Sequence, residues 1–110
     1  MKYVLVMACF GILVFSSCKK EDPFTPTCDG SSPTYDSDIS LIISNNCLGC
    51  HGTGSPNGNF STYAGISVVT SNGKFKQRVL IDRSMPKNGS LSEATLNKIQ
   101  CWVDNGYPEN

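Results

Sequence analysis

The sequence predicts an all-α domain. Two segments place their apolar side chains on one helical face: Ile39, Ile42 and Ile43 in the first, and Leu96, Ile99, Trp102 and Val103 in the second. No strand–helix–strand pattern is present, and ten glycines and six prolines mark the rest as loop-rich. A chain of 110 residues fits one domain. Nine basic and nine acidic residues cancel, so charge gives no reason to expect a nucleic-acid partner.

Residues 1–17 read as a signal peptide. Lys2 precedes an apolar run from Tyr3 to Phe15, followed by the small residues Ser16 and Ser17. The run is short of the roughly 20 residues that span a bilayer. Phe15-Ser16-Ser17-Cys18 resembles a bacterial lipobox, with Phe15 where that pattern carries an aliphatic residue. The resemblance implies a lipoprotein signal peptide, lipidation of Cys18 and an exported protein held to a membrane by acyl chains, facing the periplasm or the cell surface. Lys19-Lys20-Glu21-Asp22 either resembles the export signature of surface-exposed lipoproteins or is a solvated charged spacer. Residues 18–34 carry no helix or strand periodicity and read as a flexible tether, leaving 35–110 as the folded domain.

The first helix is expected to start near Asp36, a good N-cap, and to carry Cys47 and Cys50 on the face of its isoleucines. Two short helices are expected over Thr62–Val69 and Lys74–Ile81, separated by the breaker Ser71-Asn72-Gly73. The last helix runs from Ser92 to Asn105, with Ser92 as N-cap, Glu93 in the first turn, Gly106 at C′ and Pro108 beyond. A domain this small buries little apolar area and needs a staple.

Cys47-Leu48-Gly49-Cys50-His51 has the C-x-x-C-H spacing of a heme-attachment motif. Two thiols three residues apart on one turn reach the two vinyl groups of one porphyrin edge, and the next residue brings an imidazole to the iron. The rival readings have less support. A thioredoxin-like pair needs a βαβ context, and structural zinc needs four ligands. A plain disulfide framework remains open for an exported chain. The expected cofactor is one covalent heme c.

His51 is the only histidine, and Met1 and Met7 fall in the signal segment. Met85 is therefore the candidate second axial ligand, in a stretch that Pro86 pushes toward extended backbone. The alternative is a gap-filling core methionine.

Taken together, residues from about Thr34 to Asn110 resemble a small class I cytochrome c domain of the kind found in bacterial lipoproteins. The matching stretches are Tyr35–Ile43, Cys47–Gly52, Phe60-Ser61-Thr62-Tyr63, Met85-Pro86, and Leu91 through Gly106. The resemblance implies first and last helices crossing next to the heme.

Beyond the signal segment, which holds Cys9, the remaining cysteines are Cys28 and Cys101, either bridged or free with Cys101 buried on its helix. Trp102 is read as core, with a hydrogen bond to a heme propionate as the lesser alternative. One carbonyl in the loop Gly52–Gly58 is expected to accept the second ring N–H of His51. Lys74, Lys76, Arg78, Arg83 and Lys87, opposed by Asp82, form either a solvated face or a docking surface for an acidic redox partner. No catalytic dyad or triad is visible. The expectation is a monomeric, non-enzymatic electron carrier; the alternatives are a heme-based sensor or peroxidase-like module with displaceable Met85, and a cofactor-free disulfide-stabilised lipoprotein.

Overall fold

The structure, a computed structural model, describes residues 23–110. The signal segment 1–17, Cys18 and the run Lys19–Asp22 lie outside the described residues. Within them the chain is all-α, without a strand.

Helix formation begins earlier than Asp36. Thr34 is the N-cap, and its hydroxyl accepts the Ser37 N–H at 3.2 Å. A wide π-helical turn, Tyr35–Ile39, then leads directly into α1 (Ser40–Asn46). Ile39 and Ile43 are buried and Ile42 is half-buried, while Leu41 faces solvent. The inward face is thus the one the isoleucine spacing marks. Cys47 caps α1 and opens the single turn α2 (Leu48–His51).

Thr62 caps α3 (Tyr63–Ser71), its hydroxyl accepting from the Gly65 N–H at 3.2 Å. Thr70 is buried on this helix and donates its hydroxyl to the Ile66 carbonyl at 2.8 Å, which removes the cost of an unpaired polar group. The helix stops at the expected Ser-Asn-Gly breaker. Lys74 and Phe75 then start a turn that widens into a π-helical segment, Lys76–Ile81, and Phe75, Val79 and Leu80 are buried. The expected short helix is present, with i→i+5 bonding such as Asp82 N–H to the Gln77 carbonyl at 2.8 Å.

α4 (Glu93–Asp104) matches its expectation at both ends. The Ser92 hydroxyl accepts from Thr95 N–H at 3.2 Å. At the other end Gly106 has φ +83°. Its N–H reaches the Val103 carbonyl at 3.1 Å, and the Tyr107 N–H reaches the Trp102 carbonyl at 2.8 Å. These two bonds define a Schellman motif, which needs the left-handed residue that glycine supplies without a Cβ clash. The Trp102 and Tyr107 rings meet edge-on, closing the motif's apolar contact.

Leu96, Ile99, Cys101 and Trp102 of α4 form the centre of the core, with Ile39, Ile43, Ile66, Phe75, Val79 and Leu80 around them. The start of the first helix packs on α4, where Lys98 and Asp38 form an ion pair at 3.0 Å. The chain beyond α4 returns to the first helix: Tyr35 N–H and Asp36 N–H donate to the carbonyls of Pro108 and Glu109, each at 2.9 Å.

Residues 23–34 contain neither helix nor strand, yet in the structure they are not a free tether. Thr27 N–H donates to the Asn97 side chain at 2.9 Å, Asn105 donates to the Ser31 carbonyl at 3.2 Å, and Cys28 is bonded to Cys101. The packed unit therefore begins near Phe24 rather than at Tyr35. Periodicity could not reveal this, because the strap has no repeating apolar face: Phe24 packs against the core, and hydrogen bonds and one covalent bond hold the rest.

Candidate functional site

The five residues of the motif occupy one tight turn. The Cys47 carbonyl accepts N–H groups from both Cys50, at 3.2 Å, and His51, at 2.9 Å. The Ser55 hydroxyl donates to the Cys50 carbonyl at 2.7 Å, tying the following loop back onto the turn. Cys47 and Leu48 lean against the core, and Cys50 faces solvent. Burial pushes the Cys47 thiol up to about 11, so it stands as a neutral thiol at neutral pH.

Both thiols are free, while Cys28 and Cys101 are joined with their Cα atoms 4.4 Å apart. The disulfide left open by the sequence is therefore made, and it excludes Cys47 and Cys50. Among the described residues, the one grouping of three metal-ligating types is Cys28, Asp29 and Cys101. Two of its sulfurs are consumed by the bridge. A zinc site at the motif thus has no additional His, Cys, Asp or Glu grouped with it among the described residues.

His51 is fixed twice. Its Nδ1 lies 3.1 Å from the Asn57 carbonyl, which can only accept, so this nitrogen carries a proton and, in the neutral ring, Nε2 is the one with the lone pair. Its ring also stacks on Phe60, with centroids 4.2 Å apart and planes 8° from parallel. Phe60 is buried, and its N–H donates to the His51 carbonyl at 2.7 Å. The loop is pressed against α3 at Gly65, where a Cβ would lie 1.8 Å from the Asn59 carbonyl oxygen. Only glycine permits that approach.

This donor set fits an iron porphyrin. Two unpaired thiols sit on one turn beside an imidazole, and half-buried Cys47 and Leu48 of that turn pack against the core. The oriented Nδ1 bond is the arrangement that fixes a metal-binding imidazole and raises its basicity.

Met85 enters from the loop after Lys76–Ile81. It is half-buried against the core, its N–H donates to the Arg78 carbonyl at 3.1 Å, and its bond to Pro86 is cis. It walls a cavity of about 80 Å³ together with Val79, Arg83, Leu91 and Leu96. Cys47, Cys50 and His51 are not among the walls of that cavity. The structure gathers the three motif residues on one turn and carries Met85 on a separate loop.

The Trp102 indole donates to the Pro108 carbonyl at 3.0 Å, so its hydrogen bond serves the chain end and not a propionate. Lys74, Lys76, Arg78, Arg83 and Lys87 are all exposed, and Asp82 is occupied by the Gln77 amide at 2.7 Å. Sequence reasoning expected a loop carbonyl on His51 without choosing Asn57, and it missed the stacking of Phe60 and the Ser55 tie. Phe60 stands nine residues beyond His51, and only the folded loop brings the rings together. No protein-family model, curated protein or solved structure matches this chain.

Proposed function

We propose that this protein is a monoheme c-type cytochrome of the class I kind, carrying single electrons between redox partners at a membrane surface. The observation that carries the reading is the turn Cys47–His51, in which two free thiols accompany a histidine held at Nδ1 by Asn57 and on its face by Phe60. Cys47 and Cys50 would hold the group through thioether bonds, and His51 Nε2 would ligate its iron. When bound, heme c supplies one-electron exchange at that iron. The chain's own work is orientation: Phe60 and Asn57 fix the imidazole, while Leu48 anchors the turn against the core.

Met85 would supply the iron's remaining protein ligand, a soft thioether that favours the reduced metal and raises the potential. The packing of first helix on α4 agrees with the cytochrome arrangement, and the exposed cations around Met85 would receive an acidic partner. Cys18 would carry the lipid anchor of an exported monomer.

The separate cavity beside Met85 favours a second reading, in which Met85 is displaceable and the protein is a heme-based sensor or peroxidase-like module. Expression in a host competent for cytochrome maturation, followed by intact mass and visible spectra, tests both. The expected result is one heme added in mass, lost completely in Cys47→Ser/Cys50→Ser, with a ferric band from methionine sulfur. A high-spin spectrum favours the second reading. Colourless protein of unmodified mass ends both and leaves a disulfide-stabilised lipoprotein without cofactor.

A further inference from the structure

The strap at residues 24–31 makes a contact that its own fixation does not require. The Arg83 guanidinium donates through Nη2 to the Phe24 carbonyl, and its Cζ sits 5.2 Å from the centre of the Phe24 ring. A cation over an aromatic face is attracted by the ring quadrupole, so two different interactions hold the same side chain. Phe24 is itself half-buried against the core.

Arg83 also has φ +52°, a left-handed conformation that is costly for a residue with a Cβ. Such a conformation persists where the surroundings over-determine it. Here the surroundings are the strap, which is fastened to α4 at Thr27, Cys28 and Ser31. Two residues later comes Met85, and Arg83 and Met85 wall the same cavity with Leu96 of α4.

We propose that Arg83 is a positioning residue for Met85, and that the strap locked by Cys28–Cys101 is what positions Arg83. The strap, the guanidinium and the Met85 loop form one clasp closed over the side of α4. Its mechanical part stands on the contacts alone. Its consequence for metal ligation rests on the proposed function.

The test uses the full chain from a maturation-competent host and reads amide exchange at Met85. Arg83→Gly removes the guanidinium while suiting the left-handed backbone, so backbone relief alone would leave the loop tight. Loss of the clasp should instead speed Met85 exchange by about tenfold or more, with Ile66 and Ile99 unchanged. Cys28→Ser/Cys101→Ser should move Met85 in the same direction. Arg83→Lys keeps a cation and a Cβ and should stay within about threefold of the native rate. An unchanged Met85 amide in Arg83→Gly would overturn the proposal, as would uniform acceleration of all amides or a lysine variant as loose as the glycine one. In heme-loaded protein, Arg83→Gly should also weaken the methionine–iron band without changing heme mass. A native protein lacking heme would remove the functional reading, while the exchange rates would still decide the clasp.

Discussion

The last helix and the motif turn are held in opposite ways. α4 is specified by side chains: Ser92 caps it, Leu96, Ile99 and Trp102 are buried, Gly106 ends it and Cys101 bolts the strap to it. The turn from Cys47 to His51 is specified by backbone and polar ties, and Cys50 points to solvent. One region buries the side chains that build the core, while the other keeps two thiols uncombined. The two cysteine pairs express this difference, one bonded across the fold and the other free on one turn.

Trp102→Ala should break the contrast most severely. The residue is fully buried and its indole is hydrogen-bonded, so about 3–5 kcal/mol should be lost. Urea titration checks this against Cys50→Ser, which should shift stability by less than about 0.5 kcal/mol as a surface change. Similar losses in both would erase the distinction.

The two motif thiols should also differ in protein produced in a host without cytochrome-maturation machinery. At pH 8 the thiolate fraction of Cys47 is about a hundredfold below that of an ordinary thiol, because burial pushes its titration up to about 11. Timed alkylation and peptide mass mapping should show Cys50 modified first and Cys47 only as pH rises. Equal rates at pH 8 would mean that Cys47 is not sheltered.

The smallest effect lies where the first helix meets α4. The Ser37 hydroxyl and then Lys98 hold the Asp38 carboxyl below its ordinary range. A lowered acid contributes stability that is present above the unfolded carboxylate value, about 4, and lost as pH falls through the folded value. The pair is partly solvent-exposed, so no more than about 0.5 kcal/mol is expected. Asp38→Asn should flatten that part of the acid limb in urea midpoints measured between pH 6 and 2. An identical limb in both proteins would show that the pair contributes nothing.

The legibility of the fold followed the physics of each segment. α4 was readable to its caps because apolar spacing, Ser92 and Gly106 all act locally. The first helix was readable in its buried face but not in its start, since Thr34 rather than Asp36 supplies the capping oxygen. The wide turns at Tyr35–Ile39 and Lys76–Ile81 share their apolar pattern with α-helices, and spacing alone does not separate the two. The motif itself was legible from spacing, but Asn57 and Phe60 act on His51 through the path of a loop, which no local signal encodes. The strap was legible only in its cysteine, since pairing of Cys28 with Cys101 was one of two readings; its hydrogen-bond partners Asn97 and Asn105 lie at the far end of the chain and no local signal marks them.

The return of the chain past α4 has a consequence for the order of assembly. Tyr35 and Asp36 find acceptors only in Pro108 and Glu109, and the Tyr63 hydroxyl finds its own in Tyr107. A nascent polypeptide stopped at residue 107 would leave those two amide donors and the Trp102 indole unanswered. The first turn of the opening helix is therefore completed by residues 108 and 109, more than seventy positions further along the chain.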